Sequence, residues 1–164
     1  MNIIYRKQKG SLLNAIMLKR RLQHVDQCVG SKESRKIVKL VRAKQLVWYT
    51  VDHDHGNINS VFAPFFGHPA ATLKTTSTLA GISGASVLVM ATYRNKDDSG
   101  YSLRLSPITE EFPSGDAVLD ATRINKMVEQ AIDRAPEQYM WGHRRFKTQE
   151  GIAKAALYKI QKAS

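Results

Sequence analysis

The sequence predicts an α/β fold, a layered sheet flanked by helices. Three observations carry this expectation. Two segments of helical spacing, residues 11–23 and 34–43, precede a run of β-branched and aromatic residues at 45–51 (Gln-Leu-Val-Trp-Tyr-Thr-Val). A pair of strand-like segments, 85–93 and 101–107, is separated by the polar turn Asn95-Lys96-Asp97-Asp98-Ser99-Gly100. A long helical pattern at 116–134 follows them. Strands alternating with helices bury a sheet between helical layers.

Taken in order, residues 3–6 read as the end of a strand. Residues 11–23 place Leu12, Leu13, Ile16, Met17 and Leu22 at helical spacing with Lys19, Arg20 and Arg21 grouped among them, which predicts an amphipathic helix with a cationic face. Residues 34–43 repeat the pattern, with Ile37, Val38, Leu40 and Val41 apolar and Arg35, Lys36, Lys39 and Arg42 polar. The run at 45–51 suits a buried strand. Residues 72–82 are expected to be helical, with Thr72 as N-cap and Gly84 closing the helix; free N–H groups at such a start attract anions. The helix at 116–134 carries Val118, Leu119, Ala121, Ile124, Val128, Ala131 and Ile132 on its core face, and Pro136 ends it. A last helix is expected at 150–161.

Length and composition bound the function. The 164 residues, 43% hydrophobic and 24% charged, suit one ordinary globular domain spanning 1–164. No apolar run approaches the ~18–20 residues of a membrane-spanning helix. The opening Ile3-Ile4-Tyr5 is too short for a secretory signal. One cysteine, Cys28, excludes an internal disulfide and any cysteine-based zinc site, and fits a reducing compartment. A strand almost at the first residue, with no cap or helix before it, would leave an exposed edge. The expectation is therefore a partial domain with more of it upstream of Met1.

The net charge of +11 is concentrated at the two ends. Residues 1–44 hold twelve Lys/Arg against Asp26 and Glu33, and residues 141–164 hold six against Glu150. Residues 45–140 are net acidic. This distribution points to an anionic partner: nucleic acid, acidic lipid headgroups, a phosphorylated sugar or an acidic carrier protein.

Three segments could carry chemistry. Asp52-His53-Asp54-His55-Gly56 follows directly on the predicted strand 45–51, where α/β sheets place ligand and catalytic groups. In extended conformation His53 and His55 share one face, and Asp52 and Asp54 the other. The segment reads as a divalent-cation site, a polar loop, or a pocket wall whose carboxylates and imidazoles orient a polar substrate; spacing supplies no third metal ligand. Residues 60–72 hold Phe62, Phe65 and Phe66 between prolines, either ordinary core or the lining of an apolar slot for a long tail. Residues 139–147 (Tyr-Met-Trp-Gly-His-Arg-Arg-Phe-Lys) combine aromatics with cations. That mixture occurs in nucleic-acid binders, but no RNP, KH or zinc-finger spacing accompanies it, and no nucleic acid is expected. An arginine pair serves any phosphate, and a structural cluster is the competing reading.

Together these blocks resemble the C-terminal half of the late (lauroyl/myristoyl) lipid A biosynthesis acyltransferase family. The likeness runs through Tyr5-Arg6, Val47-Trp48-Tyr49, Asp52-His53-Asp54-His55-Gly56, Val61-Phe62-Ala63-Pro64-Phe65-Phe66, Ala70-Ala71-Thr72 and Gly100-Tyr101. It ends in Pro136-Glu137-Gln138-Tyr139-Met140-Trp141 and His143-Arg144-Arg145-Phe146-Lys147-Thr148, the most specific block. The resemblance implies a glycerolipid-acyltransferase-like fold and transfer of a fatty acyl chain to a hydroxyl of a lipid A precursor. Acyl carrier protein would be the donor, with no other cofactor. The setting would be the cytoplasmic face of a bacterial inner membrane, with this chain peripheral on an anionic surface. By family position Arg6 would meet an acceptor phosphate, and Asp52, His53 and Asp54 would border the reaction centre. Phe65 and Phe66 would line the acyl slot, and Arg144, Arg145 and Lys147 would make anionic contacts.

The departures weigh as much. The family's reactive pair is a histidine followed five positions later by an acid, a general base with its orienting carboxylate. Five positions after His24, His53, His55, His68 and His143 stand Val29, Ile58, Ser60, Leu73 and Thr148, so these 164 residues hold no such pair. Val51 and Gly142 also stand where proline and leucine are common in the family. The readings left open are an acyltransferase lacking part of its machinery, a non-catalytic binder of anionic lipid or acyl carrier protein, and, from another class, a nucleic-acid module.

Overall fold

A computed structural model describes residues 1–151. The helix expected at 150–161 lies outside the described residues. The chain is α/β, with three small sheets and four α-helices among the described residues. It divides into two compact units: Met1–Thr50 with Gly81–Ala85, and Val51–Ala80 with the described residues from Ser86 on.

In the first unit, β1 (Asn2–Tyr5) leads through α1 (Ser11–Arg21) to β2 (Gln27–Gly30), then through α2 (Ser34–Arg42) to β3 (Val47–Trp48). All pairings are parallel and the strand order is β2-β1-β3. Parallel neighbours require a crossover, and the two helices supply one each. β1 is therefore central: β2 and β3 form the edges, and the strand expected to leave an exposed edge is flanked on both sides. Buried Ile3, Val29, Ile37 and Leu40 form the core of this unit. Asn2 is buried too, its amide donating to Gln45 Oε1 and the Leu46 carbonyl, both at 3.1 Å.

Two expectations need correction here. The strand at 45–51 shrinks to Val47–Trp48, because pairing with β1 reaches only from Asn2 to Ile3. The helix at 11–23 is not simply amphipathic. Met17, Leu18 and Arg21 are half-buried, whereas Leu12, Leu13 and Ile16 are exposed along with Lys19 and Arg20. It is apolar on two opposite sides, and its cations lie at the end of the outward one.

The second unit is built on α4 (Ala117–Ile132). Its N-cap is Asp116, whose carboxylate accepts from the N–H groups of Val118 (2.8 Å) and Leu119 (3.1 Å). Ala121, Ile124 and Ile132 are buried as the spacing predicts, but Val118 and Leu119 face solvent and Asp120 and Asn125 are buried in their place. Asp120 is satisfied by the Ser114 N–H at 2.9 Å.

Against α4 packs a hairpin, β4 (Ser60–Phe65) and β5 (His68–Leu73), antiparallel with Phe65 opposite His68. Phe66 and Gly67, both at positive φ (47° and 76°), make the two-residue turn that matches strand twist. The Phe66 N–H donates to Glu129 Oε1 on α4 at 2.7 Å, pinning the tip. Thr72 thus lies in a strand, and its expected role as N-cap and anion-attracting helix start is overturned: α3 (Thr75–Ser83) begins three residues later. A second hairpin, β6 (Leu88–Arg94) with β7 (Tyr101–Pro107), has Tyr93 Oη donating to the Ala131 carbonyl at 2.8 Å. A short 3-10 turn, Pro136–Gln138, follows α4.

Candidate functional site

The Asp52–Gly56 loop and the 142–148 block come together in the second unit, and Asp54 is the hinge of their meeting. Its carboxylate accepts from Gly56 N–H (2.8 Å), Thr148 N–H (2.8 Å) and Thr148 Oγ1 (2.9 Å). Its own N–H donates to His143 Nε2 at 3.3 Å, and its carbonyl accepts from Lys147 Nζ at 3.0 Å. Asp54 is only 5% exposed; its two bonds from Thr148 are buried and the other three part-buried. A buried carboxylate with this many donors is a latch holding two distant segments in register.

The loop bends at Asp52 and His53 rather than running straight on from the strand. His53 stacks on His143, with ring centroids 4.4 Å apart, and His55 stands 6.1 Å from His53. Asp52 Oδ1 lies 3.8 Å from His53 Nε2. Burial first, and the nearby Asp52 carboxylate second, push the Tyr139 hydroxyl up to about 12. Three imidazoles, one half-buried carboxylate and a phenol that stays protonated thus line one rim. Among the described residues no group of three or more His, Cys, Asp or Glu is arranged to hold a metal ion.

Burial lowers the pKa of His143, and the adjacent His53 lowers it further. His55 is lowered by the same two causes in the same order. Because His143 Nε2 accepts from Asp54 N–H, the imidazole must be neutral there. The unfolded chain, near the ordinary value of about 6.5, then binds more protons than the folded one. Stability is full above about pH 6.5 and falls as pH drops toward the depressed folded value. We expect the urea midpoint to fall between pH 7.5 and 5.5, and His143→Gln to flatten that profile. An unchanged slope in H143Q would contradict the assignment.

Arg145 and Arg144 are adjacent in sequence and opposite in fate. Arg144 is exposed. Arg145 is 3% exposed; one terminal nitrogen donates to the Ala71 carbonyl (2.7 Å) and the other to Thr72 Oγ1 (2.8 Å). Its guanidinium lies 5.2 Å from the centre of the Phe65 ring. Asn125 completes the network, its amide donating to the Pro64 carbonyl (2.9 Å) and Thr72 Oγ1 (3.0 Å). Arg145 therefore ties the block to β5 and α4; of its two readings, the geometry supports the structural one. Lys147 is half-buried, with its ammonium on the Asp54 carbonyl.

Phe65 is 1% exposed in a cluster with Ala70 and Ile132, against which Phe66, Val128, Tyr139 and Phe146 pack. Its position is in the core of the second unit. Phe66 is partly exposed at the hairpin tip, 5.0 Å from Phe65 and 6.0 Å from the exposed Trp141. Arg6 follows β1 in the first unit and is exposed. Sequence reasoning missed Thr148, Asn125 and Thr72 as partners. The signal for Thr72 and Thr148 lay in the quoted blocks, which place a hydroxyl at each, whereas Asn125 lies outside those blocks.

The sequence that builds this Asp-His-Asp-His loop and His-Arg-Arg-Phe-Lys-Thr block has a clear match. The family model for bacterial lipid A biosynthesis acyltransferases matches residues 1–148, and the chain belongs to that family. It is 37% identical over 155 residues to the lipid A biosynthesis palmitoleoyltransferase of Escherichia coli (strain K12), covering 94% of this chain and 50% of that protein. It is 38% identical over 151 residues to the lauroyltransferase of the same strain, covering 91% and 49%. A lipid A biosynthesis acyltransferase of Haemophilus influenzae is 34% identical over 157 residues, covering 94% and 50%. The chain spans about half the length of these curated relatives. No described helix is long and apolar enough to cross a membrane.

Proposed function

We propose that this chain supplies the acceptor-recognising part of an acyltransferase that moves a fatty acyl chain from acyl carrier protein to a hydroxyl of a lipid A precursor, peripheral on the cytoplasmic face of the inner membrane. The observation that carries this reading is the Asp54 latch, which joins the Asp52–Gly56 block to the His143–Thr148 block in one rim. The rim offers what a phosphorylated sugar needs. His53 and His55 donate or accept hydrogen bonds, Asp52 accepts from sugar hydroxyls, and Arg144 is a cation suited to phosphate; Arg6, exposed in the first unit, is taken separately as a cation of the same chemistry. Phe66 and Trp141 are the partly exposed aromatics suited to an acyl chain. Lys147 and Arg145 act through the latch and brace that hold the rim.

General-base chemistry is not assigned to these residues. The family's histidine-acid pair has no counterpart at the five histidines present. His53 has a carboxylate 3.8 Å away, beyond hydrogen-bond length. We therefore expect the purified chain, given acyl carrier protein loaded with a radiolabelled acyl chain and a lipid A precursor, to transfer no label above the buffer control. Turnover that disappears in His53→Gln would instead place the base at His53 and replace this reading with that of a self-sufficient enzyme.

A further inference from the structure

The outward face of α1 has no protein partner among the described residues that would explain its composition. Leu12, Leu13 and Ile16 are 74%, 54% and 52% exposed. At 100° per residue they fall within about 100° of one another around the helix axis. Lys19 and Arg20, three and four residues after Ile16, continue the same stripe and are exposed. The helix is approached through exposed Arg6, Lys7 and Lys9, and the first acidic residue of the chain is Asp26. The stripe is therefore aliphatic in its first two turns, cationic at its end and before its start, and unopposed by any acid for twenty-five residues. The inward face, Met17 and Leu18, is half-buried in its own unit.

We propose that α1 is a lipid-docking helix, lying along an anionic bilayer with Leu12, Leu13 and Ile16 below the headgroups and the flanking cations among the phosphates. Charge complementarity chooses the occupant. A neutral apolar partner would leave the five exposed cations Arg6, Lys7, Lys9, Lys19 and Arg20 unmatched. An acidic soluble protein would match them, yet offers no apolar phase for three aliphatic side chains on successive turns. Aliphatic insertion combined with basic flanks is the chemistry of interfacial helices on anionic lipid. The exposed face of β6–β7, with Leu103 and Leu105, has no comparable cluster of charge. The inference deepens the proposed function by naming the element that would bring the chain to its lipid surface, and it rests on that reading only for its purpose.

The test is flotation of the full chain with vesicles of phosphatidylcholine alone or mixed with phosphatidylglycerol. Wild type is expected to float with the mixed vesicles at low salt, to be released as salt screens the phosphates, and to ignore the neutral ones. Leu12→Gln, Leu13→Gln and Ile16→Gln combined should weaken binding at least about tenfold, since each removes buried aliphatic carbon. Lys19→Gln with Arg20→Gln should weaken it by a smaller factor and reduce its salt dependence. These sites are exposed, so far-UV circular dichroism should not change. Wild type that stays unbound at low salt, or a triple variant that binds like wild type, overturns the proposal. So does a wild type that self-associates or captures only acidic protein through this face. Binding of a lipid A precursor in detergent, measured in parallel, separates the two readings: its loss with vesicle binding intact refutes the proposed function and not the helix.

Discussion

Replacing Asp54 with alanine is expected to destabilise the second unit by about 3 kcal/mol, the scale for leaving buried neutral donors without their charged acceptor. The loss does not come from the carboxylate's own burial, which costs free energy. It comes from what is left behind: the buried Thr148 N–H and hydroxyl and the part-buried Gly56 N–H, all without their acceptor. Asn is a poor substitute. One carboxylate oxygen accepts from Thr148 N–H, and the other accepts from Gly56 N–H and Thr148 Oγ1. Whichever oxygen becomes an amide NH2 then points a donor at a donor. Urea unfolding of D54A and D54N would show this as a lowered midpoint, and a loss below about 1 kcal/mol in both would deny the latch.

Arg145→Ala is expected to cost a similar amount, about 3–5 kcal/mol, by a different route. The side chain fills buried space over Phe65 and satisfies the Ala71 carbonyl and Thr72 hydroxyl together. Burial lowers its pKa, while the Tyr139, Asp54 and Asp52 groups oppose that shift. Arg145→Lys should recover only part of the loss, because a single ammonium cannot reproduce the planar fork reaching two acceptors on one strand. Arg144→Ala, at an exposed site, is expected to change stability by about 0.5 kcal/mol or less. Equal unfolding midpoints for the two alanine variants would contradict the division of roles.

The contrast between Arg144 and Arg145 shows why the site was only partly legible in sequence. The family resemblance picked out both, along with Lys147, as anionic contacts, since adjacent cations look alike until a backbone turns one inward. Asp54 stood out as one of four alternating groups. Its partner Thr148 is 94 residues away, and no local pattern announces that separation. Residues 60–72 leave core and slot lining both open in sequence, with a helix start at Thr72, and Pro64 and Pro69 hide the hairpin because proline is a poor strand residue in general. They sit opposite each other in a ladder of two strands, where each has a free edge. Four-residue β2, with only Cys28 and Val29 apolar, carried too little alternation to be seen. By contrast, α4 and the β6–β7 hairpin were legible because long periodic patterns and a polar turn average over local exceptions. Even there, Asp120 and Asn125 took buried positions that periodicity gave to Val118 and Leu119, each stabilised by a hydrogen bond the sequence does not display.

The central claim is that the latched rim recognises a phosphorylated lipid A precursor. Equilibrium binding of that precursor in detergent micelles, followed against the same compound with its phosphates removed, tests it most directly. Saturable binding is expected that weakens with salt, falls at least about tenfold without the phosphates, and is lost in D54A under conditions where the rest of the chain remains folded. Equal affinity for both compounds, or none for either at low salt with the wild-type chain folded, would contradict it.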